Sequence, residues 1–298
     1  MAPAVTTPLA AILPGDGEIT EGKSPRSGLS PLVATIKELH RRRQDFLNAE
    51  GSLARQSKAI ERRMQATALP STMTASSASA PLNGGHAAGD TLPKIASGSE
   101  DHDTDVNQFG GVLAATFQLR AAQRYLKRER TRIERELQKL AMTHPAYATF
   151  VEPICGFGAL GFAQIIGEAG DLSIYANPAK LWKRFGLGLV DGIRQQRFSD
   201  PALALAHGYS TRRRSVMFVI GDSLLKKQNA YKELYNLRKA YEIEKAKAAG
   251  LEVRPAKVGD PRDQDAHGFR SLMKIHRRSQ RYVEKRLLRD LWRAWRAA

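Results

Sequence analysis

The chain has 298 residues, enough for one or two domains, and carries 47 lysines and arginines against 30 acidic residues, a formal net charge of +17 at pH 7. That imbalance points to a polyanionic partner, nucleic acid first and an anionic membrane surface second. No apolar run is long enough to span a bilayer, the N-terminus lacks the basic start and apolar core of a signal peptide, and the single cysteine, Cys155, excludes an intramolecular disulfide and a cysteine-based zinc site. These features predict a cytoplasmic protein without a membrane span. The scarcity of β-branched runs predicts a mainly α-helical fold.

Residues 1–31 are rich in Pro, Gly, Ala and Thr without periodicity and read as a disordered tail. From 32 to 65 a helical arm is expected, because Leu39, Phe46, Leu53 and Ile60 recur every seven residues. The alternate seam positions are mixed, with Ile36 and Met64 apolar but Arg43, Glu50 and Ser57 polar. Residues 66–105 form a low-complexity linker ending in the acidic stretch Glu100-Asp101-His102-Asp103-Thr104-Asp105, read as solvated rather than metal-binding. A second heptad arm, 106–142, follows on Val112, Leu119, Leu126, Ile133 and Leu140, with a basic face that includes Arg120, Arg124, Lys127 and Arg128. The arms could fold back on each other or pair with those of a second subunit.

Residues 143–298 read as a compact helical domain. It opens on Ile154-Cys155-Gly156-Phe157-Gly158 and a helix closed by Gly170, the sequence form of a helix-hairpin-helix element. Gly156 and Gly158 would let the turn approach a phosphate, with the N–H groups of the next helix facing the anion. Asn177-Pro178 signals one helix start, and Ser210 or Thr211 another. Arg212, Arg213 and Arg214 are candidate phosphate contacts, although three successive residues on a helix cannot share one face. Asn229 to Ala249 is a charged helix, followed by a loop carrying Asp260, Asp263 and Asp265, read as an ordinary turn. A last helix from about Gly268 has an apolar side expected to dock on the domain. Its basic side, with Arg277, Arg278, Arg281 and Lys285, is expected to meet nucleic acid. The histidines show no metal-ligand spacing, and no P-loop, dinucleotide fingerprint or serine triad is visible.

Gly156-Phe157-Gly158, the run Ile165-Ile166-Gly167-Glu168-Ala169-Gly170-Asp171, the run Leu181-Trp182-Lys183-Arg184-Phe185-Gly186-Leu187 and the basic segment from His276 to Trp292 carry a family likeness. Together they resemble the C-terminal transposase domain of DEDD-type insertion-sequence transposases, the IS-one-ten family and its pilin-gene invertase relatives. The resemblance covers the chain from about Arg120 to its end. It implies a DNA-binding protein of a mobile element, acting in DNA transposition or site-specific recombination. Two parts of the family pattern are missing. The place of the RuvC-like nuclease domain is taken by tail, arm and linker. Where the family carries its catalytic serine stand Arg194-Gln195-Gln196, with Ser199 the nearest candidate.

A truncated or accessory form is therefore one expectation. The alternative is a non-catalytic nucleic-acid-binding structural protein assembled through its heptads, and enzyme status stays open at this point. Expected partners are DNA or RNA, and a second copy or a full-length transposase bound through the arms. No cofactor is identified; a divalent metal enters only if a complete recombinase site is assembled with a partner.

Overall fold

The computed structural model describes residues 30–68, 102–261 and 263–298. The N-terminal tail, residues 69–101 of the linker with His86, and Arg262 lie outside the described residues, as do the side chains of 66–68, of 102–110 with most of the acidic stretch, and of Val112. The fold is mainly helical, as the composition predicts. The described chain divides into two compact units, one of residues 43–132 and the other of residues up to 42 together with 133–298. Helices α1 (Pro31–Ala68) and α2 (His102–Met142) each contribute to both, so both arms extend beyond their heptad bounds.

Within the 43–132 unit, α1 and α2 pair antiparallel. Glu50 accepts from Arg130 at 2.8 Å, Ser57 from Gln123 at 3.1 Å, and Glu61 lies 3.6 Å from Arg120. Phe46, Leu53 and Ile60 on one helix and Leu119 and Leu126 on the other are half-buried along the seam. The polar seam positions are thus matched across it: the carboxylate of Glu50 meets a guanidinium and Ser57 meets an amide, so neither polar group is buried unpaired.

In the other unit, α8 (Leu272–Ala297) forms the centre. Ser271 caps it, accepting from Lys274 N at 3.2 Å. The helix starts at Leu272 rather than near Gly268, because residues Phe269–Ser271 pair as strand β4 with β3 (Glu252–Arg254) in parallel. Ile275, Val283, Leu287, Leu288 and Leu291 are fully buried, each such side chain contributing roughly 1.5–3 kcal/mol. The expected apolar docking side is therefore present. Around α8 pack α4 (Pro178–Arg184), α6 (Thr211–Leu225) and α7 (Ala230–Ala248), and α3 (Ala159–Ala169) packs on α6.

All three indoles are tied down. Trp182 donates to Lys285 O, Trp292 to Tyr175 O and Trp295 to Asp171 Oδ1, each at 2.9 Å. The helix starts follow from capping: Asn177 accepts from Lys180 N, Ser210 from Arg213 N and Asn229 from Lys232 N. The segment before Tyr209 holds a two-residue hairpin, β1 (Leu189–Val190) with β2 (Ile193–Arg194), and a short helix, α5 (Pro201–His207). Asp191 and Gly192 take positive φ of 51° and 74°, the conformation an Asp-Gly hairpin turn requires. Among the described residues, no helix is long and apolar enough to cross a membrane.

Candidate nucleic-acid interface

The N-terminal half of α8, the β1–β2 hairpin and the loop after β3 enclose a groove of about 740 Å³. Arg194, Lys257, Lys274, Arg277, Arg278 and Arg281 line it. Its one lining carboxylate, Asp260, is engaged by Arg254 at 2.8 Å and by the backbone N–H of Lys257, which hold it below the usual aspartate range. Two of the six cations are answered inside the protein. Lys274 reaches Asp265 at 3.0 Å, and Arg278 lies 3.5 Å from Glu242 and 3.6 Å from Asp265.

The other four are not. Among the described residues, Arg194, Lys257, Arg277 and Arg281 have no carboxylate at ion-pair distance. Arg277 lies over the ring of Phe218, 4.4 Å from its centroid, which places the guanidinium without neutralising it. Arg281 is only partly exposed. Burial first, then the cations Arg194 and Arg214, bring its guanidinium down to about 10. A cluster of cations that lowers its own members' pKa is one that an anion would stabilise.

Two buried carboxylates explain where the neighbouring arginines go. Glu168, 3% exposed on α3, lies 3.0 Å from His40 Nε2, 2.7 Å from Arg212 Nε and 3.4 Å from Arg213 Nε. Burial opposes its charge, but hydrogen bonds from His40 and Arg212 dominate and hold it at about 2. Glu284, fully buried on α8, meets Arg214 Nη1 at 2.9 Å. That contact is not aligned as a hydrogen bond, and the one hydrogen bond of the pair, from Arg214 Nη2 to Glu284 Oε1, is long at 3.4 Å. Burial therefore outweighs the arginine and raises Glu284 to about 7. The helices come this close because α6 and α3 carry glycines: a Cβ on Gly221 would lie 2.8 Å from Glu284 Oε1, and one on Gly167 2.4 Å from the His40 ring.

The candidate contacts named from the sequence thus separate. Arg277, Arg278 and Arg281 line the groove. Arg213 and Arg214 are only 22% and 14% exposed and serve the buried carboxylates, whereas Arg212, also on Glu168, keeps 56% of its side chain exposed. Lys285 lies beyond the groove over Trp182, 5.3 Å from the ring, and its ammonium is held down by burial and by Arg281. Gly156 has φ +93° and faces the end of α6: an added Cβ would lie 2.8 Å from Ser223 O and 3.2 Å from Leu224 Cα. Asn229 Nδ2 closes the contact by donating to Cys155 O and Leu224 O. Gly158 differs. It precedes α3 in extended conformation, offers no side-chain cap, and an added Cβ would meet nothing within 4 Å.

Ser199 is exposed and its hydroxyl makes no hydrogen bond among the described residues. In the neighbouring stretch Arg194-Gln195-Gln196, Gln195 is buried. It accepts from Gly188 N at 2.8 Å and donates to the carbonyls of Lys183 and His207. The aspartate loop is an ion-paired turn: Asp260 pairs with Arg254, and Asp265 with Arg270 and Lys274. No group of three or more metal-ligating side chains occurs among the described residues. Arg194 and Lys257 carry no contact signal in the sequence beyond the place of Arg194 beside the Asp191-Gly192 turn. No family model, curated protein or solved structure matches this chain.

Proposed function

We propose that this chain binds the sugar–phosphate backbone of nucleic acid along the groove beside α8. The observation that carries the reading is the set Arg194, Lys257, Arg277 and Arg281, four groove cations with no carboxylate at ion-pair distance among the described residues. Guanidinium groups donate to phosphate oxygens in pairs, and the lysine adds a point charge. Contacts of this kind position a strand without reading its bases. Gly158 adds the uncapped N–H groups of α3 as a further backbone contact. Fluorescence anisotropy with duplex DNA and with RNA tests the proposal: affinity should fall steeply with salt as bound counterions are released, and failure of both ligands to bind at low salt would remove it.

The resemblance to the DEDD-type transposases supports a narrower form, a DNA-binding component of transposition or site-specific recombination that joins a full-length transposase. Ser199 is the only candidate nucleophile this reading offers. Co-purification with a full-length relative tests the association. Recombination by the reconstituted pair that survives Ser199→Ala would exclude Ser199 as its nucleophile.

A further inference from the structure

A second hollow in the same unit, of about 410 Å³, is lined by Lys180, Lys183, Arg184, Arg213 and His207, with no carboxylate among its lining residues. Its wall is built. Arg184 donates through Nε and Nη2 to the carbonyl oxygen of Glu168 at 3.0 and 2.9 Å, and Arg213 is held 3.4 Å from the Glu168 carboxylate. Burial, then the charge of Arg184, lowers the pKa of Arg213, so these cations repel one another. Glu168 offsets only part of the hollow's charge, because its carboxylate is shared among His40, Arg212 and Arg213. Lys180 and Lys183 are exposed, and neither ammonium has an anionic partner among the described residues. His207 is 4% exposed and held beside Phe198, with ring centroids 4.5 Å apart; its Nδ1 has no hydrogen-bond partner.

We propose that this hollow is a binding site for a phosphate monoester, the 5′-phosphate of a nucleotide. A monoester carries nearly two negative charges at pH 7 and three strong acceptor oxygens, which suit two fixed guanidiniums and two free ammonium groups. An internal phosphodiester brings one charge. The volume is at the small end for ligand pockets and admits one nucleotide unit rather than a duplex. The nucleotide is either free or the 5′ end of a strand; only the second form rests on the nucleic-acid reading above.

The test compares two pairs of probes on the full chain. Titration calorimetry with adenosine 5′-monophosphate should show binding that adenosine lacks. Anisotropy with one single-stranded oligonucleotide should show the 5′-phosphorylated form binding about tenfold tighter than the 5′-hydroxyl form, the yield of one added charge-assisted contact. Lys180→Glu combined with Lys183→Glu should abolish both differences, and Arg194→Ala should weaken both oligonucleotides equally and keep their ratio. Monophosphate binding without a strand-end preference assigns the site to free nucleotide. Absence of both preferences, or their survival in the double variant, overturns the proposal. If no oligonucleotide binds, the groove reading fails, and the monophosphate titration still decides this one.

Discussion

Gly156→Ala separates the two roles the hairpin turn can play. The new methyl would enter at φ +93°, a conformation costing an L-residue about 1–2 kcal/mol. It would also lie 2.8 Å from Ser223 O and 3.2 Å from Leu224 Cα, both main-chain atoms that move only if α6 moves. Displacing packed elements costs about 1–3 kcal/mol more, so a total of about 2–5 kcal/mol is expected. That lowers Tm on the order of 10 °C for a unit of this size. Gly158→Ala is the control. Its added Cβ meets nothing and its backbone is extended, so stability should change by less than about 0.5 kcal/mol. Urea denaturation followed by circular dichroism measures both, and anisotropy at a temperature where both variants are folded measures nucleic-acid binding. The reasoning is refuted if Gly156→Ala is as stable as the parent, or if it loses binding while keeping full stability, since Gly156 would then face the ligand rather than α6.

Glu284 sets a pH dependence. Its folded pKa of about 7 lies above the ordinary carboxylate value, so the folded state holds the proton longer. Its contribution is full below about pH 4.5 and is lost as pH rises through 7, on the order of 3 kcal/mol by pH 8. Glu284→Gln should flatten the fall in urea midpoint between pH 5 and pH 8, and an unchanged slope would show that the carboxyl is not protonated in the fold. Gln195→Ala should cost about 2–4 kcal/mol, because it strands the Gly188 N–H and the carbonyl of His207 and leaves the Lys183 carbonyl only its bond from Gly186 N. An unaltered denaturation midpoint would mean that water replaces the amide.

Local chemistry was legible wherever it acts within a few residues. Asn177-Pro178 and Ser210 announced α4 and α6, and the one-sided pattern of 272–295 announced the docking face of α8. Asp200-Pro201 carries the same start signal, but nothing after it marks α5 as a helix. Its seven residues are too few to show a stripe, and Leu203 and Leu205 point to solvent. Strands β3 and β4 were not legible, since three-residue strands joined in parallel across an irregular loop leave no period. The arginines divided for a tertiary reason. Arg212 and Arg214 meet carboxylates 44 and 70 residues away in the chain, and nothing in Arg212-Arg213-Arg214 distinguishes a guanidinium bound to Glu168 or Glu284 from one facing solvent. The groove was half visible: α8 supplied Arg277, Arg278 and Arg281, but Arg194 arrives from β2 and Lys257 from the loop after β3.

The central claim is that groove cations without an ion-pair partner hold a nucleic-acid backbone, and the salt dependence of binding tests it most directly. Arg194 and Lys257 are exposed and unpaired among the described residues, so Arg194→Ala with Lys257→Ala leaves the fold intact and removes two phosphate contacts. On duplex DNA the slope of log affinity against log salt should become shallower by about 2, close to 0.9 for each phosphate released. A double variant whose slope equals the parent's would show that the strand lies elsewhere on the protein.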